Sequence, residues 1–223
     1  QLIRAGADQI KLMTSGGVMS PGSDPGRIGF GRDEILAIVN EARAAGRTTM
    51  SHAQASAGIL NAVVSGVDSI EHGVYLTEEI CHEMVARGTF LVPTLVAPLW
   101  VLRRAERDPG SVPAWAVAKG RTVVAAHMES FRMAVAMGVP IAMGTDHGVG
   151  PHGTNAEELA VMVEGGMTTM QAIVAATSVA AKCCRVDHLV GTIAPGMRAD
   201  IIAIDGDPLA DITILQDHAR LRL

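Results

Sequence analysis

Along the chain, short apolar runs alternate with longer stretches in which apolar residues return every third or fourth position. The runs read as buried strands and the periodic stretches as helices. Residues 1–7 look like the end of a helix stopped near Gly6. Residues 8–15 look like a strand, followed by Gly16-Gly17 and a loop over 20–31 rich in Gly, Pro and Ser. Asp33 then caps a helix whose Ile35, Ile38, Val39 and Ala42 keep helical spacing up to Gly46. The unit recurs as strand 47–53 with helix 56–64, and as strand 68–72 with a helix from Thr77 to Gly88. Residues 89–93 form the next strand. A long loop through Pro98, Pro109 and Pro113 precedes a helical stretch reaching Met137, residues 139–146 read as another strand, and helices fill 156–164 and 168–182.

Strand and helix alternating in this way predict a parallel sheet with right-handed crossovers. Five such units are three short of a closed eightfold barrel, which takes about 250 residues. The tail differs: 191–196 is turn-rich, 200–204 is a β-branched run and 205–211 is an acidic turn. The expected organisation is therefore residues 1–187 as the strand-helix units and 188–223 as part of a small separate sheet. A chain that opens on Gln1 rather than Met reads as a piece of something longer.

In parallel α/β proteins chemistry is done where strands end. Four runs end on chemistry-bearing residues: Lys11 in IKLMT, His52 in TMSH, His72 in SIEH and Asp146 in VPIAMGTD. Side by side, those strands bring all four to one rim. Composition narrows the partners: a net charge of -5 without long runs of one sign gives no footprint for nucleic acid or a membrane surface, so a small molecule is the default. Three cysteines without CxxC spacing indicate neither a disulfide framework nor a zinc knuckle and fit a reducing, cytoplasmic setting. With 48% hydrophobic content the chain can bury a sizeable core, and no apolar run approaches the ~20 residues of a membrane span.

Taken together, IKLMTSGG, SHA, SIEHG and MGTDHG, followed by GTIAPGMRADIIAIDGDPLADI, resemble the metal-dependent amidohydrolase superfamily, and within it the branch of imidazolonepropionase-like proteins and Xaa-Pro dipeptidases. The resemblance implies an α/β fold, a partial (β/α)₈ TIM barrel comprising strands four to eight, with the C-terminal portion of a small β-sandwich. It also implies a carboxylated lysine at Lys11 bridging two divalent metals, zinc foremost, with His52 and His72 on one ion and Asp146 on the other. The HxH pair of the family's first strand is not in this sequence. Imidazolonepropionase proper lacks the bridging lysine, so Lys11 favours the dinuclear, dipeptidase-like branch.

The residue types agree on their own chemistry. Imidazole and carboxylate suit zinc, manganese or iron, and a metal brings its water's pKa toward ~7. The apolar neighbours Ile10 and Leu12 disfavour a charged Lys11 amine, which could then take up carbon dioxide. Asp146 is the candidate general base, with Lys11 and His72 beside it. Tyr75, His147 and Arg27 are weaker candidates for substrate contacts, and His127 falls on a helix and reads as structural. The expected function is hydrolysis of amide or peptide C-N bonds in dipeptides or N-acyl amino acids by a homo-oligomeric enzyme. Opening of a cyclic amide or a deamination stays open, as does a non-catalytic scaffold.

Overall fold

The computed structural model describes residues 1–222. Strands β1 (Gln9–Met13), β2 (Thr48–Ala53), β3 (Ser69–His72) and β4 (Phe90–Val92) form one parallel sheet in chain order. Helices α1 (Arg32–Ala44), α2 (Ser56–Val64) and α3 (Glu78–Arg87) make the crossovers. The ends of α3 follow from local chemistry: Thr77 caps it by accepting from the Ile80 N–H, Glu78 and Glu79 occupy its first turn, and Gly88 ends it in the left-handed conformation. Helix α1 instead starts at Arg32 with Gly31 at its cap, so Asp33, expected to be the cap, lies in its first turn.

Register decides which residues share a face, because side chains alternate along a strand. Leu12 pairs with Ser51, Ser51 with Ile70 and Ile70 with Leu91, and this buried row packs with Ile35, Val39, Ile59, Val63 and Ile80 of α1 to α3. The opposite row joins Met13, His52, Glu71 and Val92, with Lys11, Met50, Ser69 and Phe90 one pair behind. That face is open at the β1 side, where Lys11 and Met13 are exposed.

Three further sequence expectations change. Residues 139–146 are not a regular strand: they join β4 at a single bridge, Leu91 with Ile141, made by Leu91 N–H to the Pro140 carbonyl and Ala142 N–H to the Leu91 carbonyl, both 2.9 Å. Pro140 has no N–H to extend a ladder, and β4 itself is only three residues long. Pro98 lies in a helix, not a loop: α4 (Val96–Arg107) takes it in its first turn, where the missing N–H costs nothing. Of the β-branched run in the tail only Ala203–Ile204 is strand, paired antiparallel with a second short strand, Leu221–Arg222; Ile201 and Ile202 have no ladder partner and are exposed. The long stretch before Met137 is α5 (Ala114–Ala136), and α6 (Glu157–Glu164) follows the 139–146 segment. The helix after α6 runs as Thr169–Val174, a π-helical Ala175–Val179 and Ala180–Cys183. The Ala175 carbonyl accepts the Met143 N–H at 3.0 Å and so caps the free side of the 139–146 segment.

One buried carboxylate ties the later helices to the sheet. Glu158 of α6 is fully buried, and its two oxygens accept the Leu95 and Val96 N–H groups at 2.7 and 2.9 Å, at the otherwise uncapped start of α4. Burial pushes its pKa up to about 8 against the pull of those two N–H groups. Glu158→Ala would leave both donors unpaired in the core, so we expect a loss of about 2–5 kcal/mol in urea unfolding of the intact protein. A loss below about 1 kcal/mol would show that α4 is held by packing alone.

Candidate active site

The C-terminal rim of the sheet is where the backbone is strained. Of the non-glycine residues with positive φ, His72 (74°) ends β3, Thr94 (54°) follows β4 and Asp146 (52°) ends the 139–146 segment. His72 pairs with Ala53, so in a regular strand it would face the helices, away from His52. The left-handed turn at His72 and Gly73 re-aims it: the two imidazoles stand edge to face with ring centroids 4.6 Å apart. Such a conformation costs of order 1–3 kcal/mol and persists only where the surroundings fix it. Here His127 of α5 does so by donating Nε2–H to the His72 carbonyl at 2.9 Å.

Each ring has one nitrogen engaged. His52 Nε2–H donates to the Gly16 carbonyl at 3.1 Å, and His72 Nδ1 shares a 2.7 Å hydrogen bond with Thr94 Oγ1. That leaves His52 Nδ1 and His72 Nε2 without protein partners among the described residues. Burial lowers the pKa of His52, against the pull of the Gly16 carbonyl, and the Lys11 charge lowers it further. His72 is held well below the usual range by burial first and then by His52, His127 and Lys11. His127 falls to about 4, through burial outweighing the carbonyls of His72 and Pro93. Near neutral pH all three are neutral imidazoles, the form that binds metal.

His52, His72, His127 and Asp146 line one cavity of about 210 Å³ whose other walls are mainly aliphatic, Val18, Val74, Pro98, Val101 and Val123 among them. Two neutral imidazoles with an outward partner each, facing a cavity that also carries a carboxylate, fit a divalent metal in donor chemistry. Among the described residues, however, no three His, Cys, Asp or Glu side chains stand close enough together to hold an ion.

The remaining predicted residues are dispersed. Lys11 shares the open face with His52 but does not line the cavity, and its side chain is exposed. The apolar surroundings expected from Ile10 and Leu12 are not there, because alternation turns those two to the opposite face. Tyr75 packs against the small cluster of Val18, Val74 and Val123 rather than entering the cavity. His147 shares a hydrogen bond with Thr154 Oγ1 at 2.8 Å, and Arg27 is exposed in the loop after β1; neither lines the cavity. Sequence reasoning passed over His127, which turns out to support His72, and Thr94, which orients its ring. No spacing in the sequence signals either one, since their partners lie 55 and 22 residues away.

The model of the amidohydrolase family matches residues 1–221. The chain is 37% identical over 219 residues to ochratoxinase of Aspergillus niger, covering 96% of this chain and 44% of that protein. Among solved structures, a Xaa-Pro dipeptidase with bound methionine superposes with a TM-score of 0.92 at 37% identity, over 98% of this chain and 53% of that one. The A. niger ochratoxinase structure gives 0.86 at 35% identity, over 98% and 49%. The chain thus spans about half the length of the relatives it matches.

Thr94→Val keeps the shape and branching of the side chain while removing the oxygen that orients His72. We expect a stability loss of about 1 kcal/mol by denaturant titration, together with a change in the His72 ring nitrogen resonances. Unchanged His72 resonances would mean that the ring is held by packing and not by Thr94.

Proposed function

The chain belongs to the amidohydrolase family, and from that premise we propose that it carries the catalytic rim of a metal-dependent hydrolase cleaving amide C-N bonds in small substrates, dipeptides or N-acyl amino acids. The observation that carries this reading is the pair of neutral imidazoles, His52 and His72, 4.6 Å apart on a cavity that Asp146 also lines. The likeness to a Xaa-Pro dipeptidase and to ochratoxinase supports the same class of bond.

In this reading His52, His72 and Asp146 would hold divalent ions, zinc foremost, with Lys11 as a carboxylated bridge between two of them in the whole protein. Lys11 stands on the same face of the sheet as His52, one strand away, which supports its belonging to this group although its side chain lies open. When bound, such an ion supplies a low-pKa water and positive charge beside the scissile carbonyl. Asp146 takes a proton onto a carboxylate oxygen and returns it to the leaving nitrogen. The aliphatic walls seat an apolar part of the substrate and keep bulk water from the reacting bond.

Metal should be measurable in the intact natural protein: exhaustive chelation abolishes hydrolysis of a panel of Xaa-Pro dipeptides and N-acetyl amino acids, and zinc or manganese restores it. Full activity in protein that is metal-free by elemental analysis would remove the proposal. Asp146→Asn keeps size and loses the basic oxygen, so kcat should fall by ~10² or more with unfolding unchanged. An unaltered kcat would take Asp146 out of the reaction.

A further inference from the structure

The loop after β1 closes on itself before it reaches the site. Ser15 and Ile28 form an antiparallel bridge, Gly16 N–H donates to the Arg27 carbonyl at 3.1 Å, and Gly29 N–H to the Thr14 carbonyl at 2.8 Å. The closure needs glycine: a Cβ on Gly16 would lie 2.2 Å from the Asp24 carbonyl oxygen, and one on Gly29 would lie 2.6 Å from that of Met13. What the loop delivers to the site is the Gly16 carbonyl, seated on His52 Nε2. A carbonyl only accepts, so this contact puts the ring proton on Nε2 and leaves Nδ1 as the lone-pair nitrogen.

On its other side the loop is gripped from α5. The Lys119 ammonium donates to the carbonyls of Gly17 at 3.3 Å, Ser20 at 3.0 Å and Ser23, and lies 5.1 Å from the centre of the Trp115 ring. An ammonium has three donors, and all three find carbonyls of this one loop, 96 to 102 residues away in sequence. Among the described residues Lys119 has no carboxylate partner, so its charge meets only the loop carbonyls and the Trp115 ring. Ser23 Oγ sits between two of these carbonyls, 2.9 Å from that of Ser20 and 3.1 Å from that of Gly17, with one proton to give them, and it accepts the Gly17 N–H at 3.3 Å, which ties the loop across itself.

We propose that Lys119 is a positioning residue for the site: by clamping the carbonyls of Gly17, Ser20 and Ser23 it holds the Gly16 carbonyl on His52 Nε2 and so fixes the tautomer in which His52 Nδ1 is free to take a ligand. The ligand half of this inference rests on the proposed metal chemistry; the loop half does not. Removal of a partner that orients a metal-bound histidine typically weakens affinity 10- to 100-fold, and Lys119 acts one step further out.

The test uses Lys119→Met in the intact natural protein, which keeps the stem over Trp115 and loses the ammonium. Three results are expected: trypsin cuts after Arg27 about tenfold faster, the His52 ring nitrogens in metal-free protein show a mixture of tautomers, and zinc binds about tenfold more weakly, while the melting temperature moves little. Lys119→Arg, which keeps charge and donors, should recover part of all three. If Lys119→Met does not fold, Lys119→Gln, an uncharged donor, is read by the same three measurements. Wild-type cleavage rate and a single His52 tautomer in the variant would overturn the proposal. A parent that binds no zinc would sink the metal reading, yet the cleavage and tautomer results would still decide the role of Lys119.

Discussion

The twofold alternation of side chains along a strand governs everything at this rim. Register places His52 on the open face and His72, paired with Ala53, on the face turned to the helices. Two imidazoles from neighbouring strands can meet across that mismatch only if one backbone leaves the regular conformation at the strand's last residue. His72 does so at φ 74°, and Gly73, also left-handed, completes the turn without a side chain to obstruct it. A Cβ on Gly73 would come within 2.6 Å of Leu91 Cδ1, so any side chain there would have to displace a buried methyl group of the core.

A strained turn needs support that a regular strand does not. It comes from α5, whose His127 and Ser130 stand three residues apart on one helical face. His127 donates to the His72 carbonyl, while Ser130 Oγ donates to the Val74 carbonyl at 2.8 Å and accepts the Leu76 N–H at 3.0 Å. Three backbone groups of the segment leaving β3 are thus satisfied by two buried side chains from one helix. Burial keeps His127 neutral, and neutrality lets it sit in an apolar interior with one proton to give.

The elements were largely legible in the sequence because helical spacing and strand-length apolar runs are local signals. The caps at Thr77 and Gly88 and the order of strands needed no tertiary knowledge. So too with the idea that His52, His72 and Asp146 share a rim, since parallel strands align their ends; that they line one cavity agrees with it. What was not legible depends on contacts between distant parts. The sequence shows Lys11 flanked by apolar residues, but pleating sends those neighbours to the other face. It shows an apolar run at 139–146, but not that β4 offers it only one residue to pair with. It shows His127 on a helix, but not that this helix passes behind the turn after β3.

The two imidazoles are consequently held by supports of different kinds. His72 is braced by buried side chains of α5 and by Thr94, all inside the main body of the fold. His52 is oriented by a carbonyl on a loop whose tip, from Met19 to Gly22, is exposed and reached by one half-buried cation. Local opening is easiest where backbone hydrogen bonds are few and solvent-exposed, and hardest in the packed core. Orientation of His72 is therefore lost only with the core, whereas orientation of His52 can be lost by opening one loop, and a ligand shared by the two rings would couple that loop to the core.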